Sequence, residues 1–262
     1  MSLFYVLASL PKLEFGSKPD VTTTCLLELF DLNLSIEGIR QLNMIRSWID
    51  LANISRMIHH DHLFDERGNF SKSTLKELLQ NQEVLAEYVF EFFSKFENEE
   101  EKKQNFSFLI ARYFEEARKS AKGYLAEFLK FENEWRILVA AFMAKRAGQS
   151  IAYALRYEVQ TDPIVQMALV QKDSAGPFVF PFEYSDLERS IQEAGDDPTK
   201  LMQVLLKYRF DFYGEVEYDF PFSLRRVVAY LMQLMCLEEM FALNQIEGEK
   251  QLMKLLERAD AS

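Results

Sequence analysis

Residues 124–148, YLAEFLKFENEWRILVAAFMAKRAG, constrain the fold of this chain more than any other stretch. Apolar side chains recur at helical spacing through Leu125, Phe128, Leu129, Trp135, Leu138, Val139, Phe142 and Met143, which predicts one continuous helix. Charge gathers near its start and end, and Gly148 stands where a left-handed C-terminal cap is expected. A helix that is apolar over most of its girth has to lie between other helices. Residues 39–58 and 224–246 read the same way, each with an amide or acid embedded midway. Three such helices, one per third of the chain, predict an all-α multi-helix bundle. They also suggest three pseudo-repeated lobes, at about 20–97, 98–160 and 161–262, within a single domain spanning 1–262.

Composition agrees with helices rather than many short strands. Only 9 Gly and 7 Pro are spread over 262 residues, and 23 Phe are available to fill helix–helix interfaces. A net charge of -11 argues against nucleic acid or an anionic membrane surface as the main partner, while a basic or neutral protein partner is compatible with it. Cys25 and Cys236 sit in apolar helical contexts and read as buried free thiols of a reducing compartment. The apolar opening MSLFYVLASLPKL has no preceding Lys or Arg and is closed early by Pro11 and Lys12, unlike a signal peptide. Apolar runs elsewhere fall short of the roughly 20 residues a bilayer span needs. The expectation is a soluble cytoplasmic protein.

Punctuation along the chain marks the helix ends. Ser35 is placed to cap the first long helix, and Gly68-Asn69 marks a turn. Asp162-Pro163 and Asp197-Pro198 each read as an acid N-cap followed by proline at the first helical position. Ser185 to Glu188 matches a capping box, and Pro221 is expected to open the last long helix.

Chemistry is sparse. His59, His60 and His62 are all the histidines of the chain. His59 and His62, at i and i+3 of a helix, are weak candidates for metal ligands and would be the centre of a metal-dependent helical enzyme; the alternative is a helix-end cap. No phosphate loop, G-x-S-x-G elbow or C-x-x-C pair is present, so neither a catalytic site nor a cofactor is expected. The embedded polar groups are Asp50 with Asn53, Glu132 with Asn133 and Arg136, and Glu238 and Glu239 with Asn244. They either satisfy helix ends and loops, as buried polar groups must, or contact a partner.

At these residues the sequence resembles the C subunit, also called d or AC39-like, of V-type and archaeal-type rotary ATPases. Asp50-Leu51-Ala52-Asn53-Ile54 followed by Arg56 matches that family's acid-x-x-Asn-Leu helix with its trailing basic residues. Asn133 and Arg136, with Lys145, Arg146 and Gly148, match its Asn, basic and glycine positions, although Lys130 stands where the acid belongs. The opening Phe4 to Pro11 looks closer to a small bacterial family associated with V-type ATP synthases. The resemblance implies a funnel-like, non-catalytic part of the central stalk that couples the rotor shaft to the membrane ring. Such a part is peripheral to the membrane through protein contacts alone. An accessory or assembly factor of the same complex is the alternative.

Overall fold

A computed structural model of the chain describes residues 3–81, 85–219 and 223–260, with side chains described over 3–81, 85–215 and 223–244. Every regular element among the described residues is helical. In chain order these are α1 (Leu3–Ser9), α2 (Thr23–Asn33), α3 (Ile36–Ile58), α4 (Lys72–Asn81), α5 (Glu87–Lys95), α6 (Glu99–Gln104) and α7 (Phe106–Ser120). They continue as α8 (Tyr124–Arg146), α9 (Ile151–Ala154), α10 (Pro163–Val170), α11 (Ser185–Ala194), α12 (Pro198–Asp219) and α13 (Leu224–Asp260), with one 3-10 turn at Phe182–Tyr184. The all-α expectation is met.

The chain forms two compact units, residues 1–39 with 181–262 and residues 40–180. The first is built on the packed pair α12 and α13, with α11 and α2 added. Its core runs along α13 through Val227, Val228, Ala229, Tyr230, Leu231, Leu234 and Leu237, all nearly inaccessible to solvent. Residues Leu224–Asn244 are long and apolar enough to cross a bilayer by length and composition, more than the sequence reading allowed. In this unit 67% of that segment is buried inside the protein, as in a core helix. Gly214 of α12 packs closely there: a Cβ would meet the Gln233 amide nitrogen at 3.0 Å, so that side chain would have to shift.

The second unit is organised on α3 and α8, each 23 residues long. Leu42, Ile45, Ile49 and Ile54 of α3 and Leu125, Phe128, Leu129 and Leu138 of α8 are buried. Trp48 stacks at a tilt against Phe114, with ring centroids 5.2 Å apart, and Tyr113 donates its hydroxyl to the Met44 carbonyl at 2.9 Å. Burial drives the Tyr113 phenol far above its ordinary range, so it stays a neutral donor.

Most predicted caps form. Ser35 Oγ accepts from the Gly38 amide, Asp162 from the Ile164 amide at 3.0 Å, and Asp197 from the Thr199 amide at 2.9 Å. Gly148 takes φ +67° and closes α8 with Gln149 N–H donating to the Ala144 carbonyl at 2.8 Å. The capping box at Ser185 does not form. A 3-10 turn runs into α11, so Ser185 lies inside the helix and Tyr184 occupies the cap position without a side-chain bond. The charge run 97–103 is itself helical as α6, capped by Asn98 on the Glu101 amide. Pro221, expected to open the last long helix, lies outside the described residues.

Candidate functional site

The embedded polar residues of α3 and α8 are consumed within the protein. Asn53, fully buried, accepts from the Asp65 amide at 2.8 Å and donates from Nδ2 to the Asp65 carbonyl at 2.9 Å. Arg56 lies one turn on and donates to Asn53 Oδ1 at 3.1 Å. Asp50 Oδ1 accepts from the Asn69 amide at 2.9 Å and the Phe70 amide at 3.3 Å, and its Oδ2 accepts from Asn69 Nδ2 at 2.8 Å. One face of α3 therefore grips both ends of segment 65–70 through side chains three residues apart, the spacing that puts them on one helical face.

Gly68 makes that grip possible. Any Cβ at this position would collide with Asp50 Oδ1, so only glycine lets the segment close onto the carboxylate. Within the segment Asp65 is held by Arg67, Nε to Oδ1 at 2.8 Å and Nη2 to Oδ2 at 2.7 Å. Burial pushes the Asp65 carboxyl up, but the hydrogen bonds and charge of Arg67 outweigh it and leave it below its ordinary range. For Asp50 the balance is reversed. Its burial outweighs the bonds from Asn69 and Phe70 and the charge of Arg46, and its carboxyl is raised.

In α8 the same Asn-x-x-Arg spacing serves a different loop. Arg136 forks onto Glu158, with both N–H···O distances 2.8 Å, and reaches back to Asn133 Oδ1 at 2.7 Å. Its guanidinium stands 4.8 Å from the Phe114 ring centroid. Asn133, Glu132 and Glu158 are buried. In α13 the Glu238 carboxylate accepts the Thr23 amide at 2.7 Å and so satisfies an orphan donor at the start of α2.

The histidines are not placed as two successive helical turns. α3 ends at Ile58 because His60 adopts φ +57°, with His60 N–H on the Met57 carbonyl and Asp61 N–H on the Arg56 carbonyl at 2.8 Å. The helix stops before His62, so the i, i+3 face expected for His59 and His62 does not exist. His59 donates from Nδ1 to the Ser55 carbonyl, His60 Nε2 pairs with Glu99 at 3.0 Å, and all three rings are exposed. Among the described residues, no three His, Cys, Asp or Glu side chains gather as a metal site.

Beside the α3 grip lies a cavity of about 890 Å³, walled by α3, residues 69–70, α4 and residues 85–89. Arg40, Asn43, Arg46, Ser47 and Asp50 face it from α3, and Tyr88 from α5, over an apolar floor that includes Leu51 and Leu75. The Tyr88 phenol is pushed up to about 12, by burial first and then by the Asp50 charge. Apart from Asp50 and the turn read at Gly68-Asn69, the residues around this cavity carried no signal in the sequence. Arg46, Asn69 and Tyr88 meet only because the chain folds segment 65–70 back onto α3.

A family model described as "Protein of unknown function (DUF2764)" matches residues 1–260. The chain belongs to the DUF2764 family. Relatives of the chain are found in Chlamydia muridarum, 26% identical over 216 residues covering 79% of this chain and 81% of the relative, and in Chlamydia trachomatis, 25% identical with 88% of each covered. A Chlamydia pneumoniae protein is 24% identical over 89% of this chain and 91% of its own length. All three are named only as uncharacterized proteins. No solved structure matches. The resemblance to the rotary-ATPase stalk family is thereby corrected: the DUF2764 match spans nearly the whole chain, and neither it nor the relatives lead to that stalk protein. The residues that suggested it explain why. Asp50, Asn53, Asn133 and Arg136 tie loops to helices, a task any helical protein can meet with an Asn and an Arg one turn apart.

Proposed function

We propose that this DUF2764 protein is a non-catalytic interaction module whose acid-rimmed apolar strip takes a basic, apolar segment of a partner protein. The observation that carries this reading is at the end of α2 and the first residue of α3. Leu32 is 82% and Ile36 89% exposed, with Leu29 at 37%, and Glu28, Asp31 and Glu37 stand exposed among them. Apolar side chains this exposed, with three acids interspersed, favour a partner surface that brings apolar contacts and Lys or Arg. The net charge of -11 adds a long-range field of the same sense.

A narrower version makes the protein a cytoplasmic central-stalk component or assembly factor of a V-type ATP synthase, with the shaft and rotor-ring subunits as partners. The all-helical fold and acidic balance are compatible with it, and family membership lends it nothing. A histidine-centred metal enzyme has no gathered ligand set behind it among the described residues.

The test compares wild type with the double variant Leu32→Lys, Ile36→Lys in affinity purification from the native cells, followed by binding to each purified candidate partner. Both sites are exposed, so thermal stability should change by no more than about 0.5 kcal/mol. The proposal expects a partner cross-linked through Lys or Arg near this strip, with binding weakened at least tenfold in the variant. Equal binding by both proteins removes the strip from function, and recovery of shaft or ring subunits by wild type alone decides for the narrower version.

A further inference from the structure

We propose that the cavity beside α3 is a binding site for a small organic oxyanion, such as an N-acylated amino acid or a phosphate ester. This goes beyond the protein-interaction reading and stands on the other compact unit.

Size is the first argument. At about 890 Å³ the cavity falls within the range of small-molecule sites. Its wall then offers cationic donors. Arg40 is exposed at the lining, and Arg46 is half-buried behind it. Arg46 spends Nε on the Arg67 carbonyl at 3.0 Å, Nη2 on the Gly68 carbonyl at 2.5 Å and Nη1 on Asn43 at 3.4 Å. A guanidinium has five N–H groups, so the three bonds fix its plane and leave two donors for a ligand.

The second argument is a fixed wall. Asn69 lines the cavity, and its Nδ2 is held by the Asn43 carbonyl at 2.9 Å and Asp50 Oδ2 at 2.8 Å, with Ser47 Oγ at 3.2 Å sharing one of its two hydrogens. The acceptors around the nitrogen fix which way the amide points. Guanidinium donors on a wall held this firmly suit a ligand that presents an oxyanion. The Asp50 carboxylate adds one negative charge to a wall that carries the two positive charges of Arg40 and Arg46. Leu51, Ile54, Leu75 and Val89 provide an apolar floor for the remainder.

The experiment uses the full-length, isotope-labelled protein and follows the backbone amide resonances of Ser47, Asn69 and Phe70. Three probes are titrated to about 10 mM, a range that reports even weak sites: N-acetyl-L-leucine, acetate and glycerol 3-phosphate. The proposal expects saturable shifts of these resonances with N-acetyl-L-leucine or glycerol 3-phosphate, at least tenfold tighter than with acetate. Whichever binds tighter identifies the carboxylate or the phosphate source. Arg40→Glu should weaken binding at least tenfold, and Ala86→Trp, at an exposed lining position, should block it without a change of charge. Undisturbed resonances with all probes, or unchanged affinity in both variants with native folding, would overturn the proposal.

Discussion

α3 and α8 have the same length and the same Asn-x-x-Arg device, yet they use it differently. In α8 the device is closed on an ion pair: the two Nη groups of Arg136 bond Glu158 and Asn133 beside Phe114 while its buried Nε has no partner, and side-chain exposures are 15% for the arginine and 6% for the glutamate. In α3 it is open. Asn53 holds main chain rather than an ion pair, Asp50 extends the grip to Asn69 and Phe70, and a cavity of about 890 Å³ opens beside it. A closed anchor stabilises a loop and nothing else. An open one positions backbone and side chains along a cavity wall, so the α3 side is where a ligand-dependent function has room to act.

The largest expected effect breaks the closed anchor. Glu158→Ala leaves Arg136 buried and unpaired and should lower unfolding free energy by about 3 kcal/mol in urea titration, whereas replacing both partners by apolar residues of similar volume should recover most of the loss. A smaller loss is expected at the open anchor. Gly68→Ala forces a methyl onto Asp50 Oδ1, so the segment must lift, at a cost of about 2 kcal/mol by the same assay and with the loss of the proposed ligand site.

The smallest effect is electrostatic and depends on pH. The Asp65 carboxyl is below its ordinary 3.8, so it adds stability that is present above that value and fades as pH falls through its folded value. Asp50, raised above 3.8, acts in the opposite sense: its contribution is complete below the ordinary value and fades as pH rises through the folded one. Asp65→Asn should therefore cost about 1 kcal/mol at pH 7 and nearly nothing at the acid end, measured by thermal unfolding across pH. A constant difference across that range would mean that the ionic bond to Arg67 contributes nothing to stability.

Helices were legible in the sequence because their signals are local. Apolar periodicity located the buried faces of α3 and α13 and the first half of that of α8, whereas Met143 of the α8 stripe is exposed and Trp135, Val139 and Phe142 are half-buried; acid-then-proline pairs marked the starts of α10 and α12. The end of α3 was legible, the helix being read over 39–58 and found over Ile36–Ile58; the left-handed His60 just beyond it was not, because nothing in the sequence distinguishes it from one more helical residue. The polar positions Asp50, Asn53, Asn133 and Arg136 were visible as exceptions on apolar helices, but their partners were not. Asp65, Asn69 and Glu158 lie in loops whose return to the helix is a tertiary event. Gly68-Asn69 read as a turn, and only the folded chain shows it pressed against Asp50. The cavity had no sequence signal at all.

The most direct test of the central claim, that the polar residues of α3 hold segment 65–70, is native-state amide hydrogen exchange on Asn53→Ala. Protection of the Asp65 amide is predicted to fall at least tenfold, about 1.4 kcal/mol, with lesser losses at Asn69 and Phe70 and α7 amides unchanged. Asp65 protection equal to wild type would contradict the claim, because the amide would then be held by something other than Asn53.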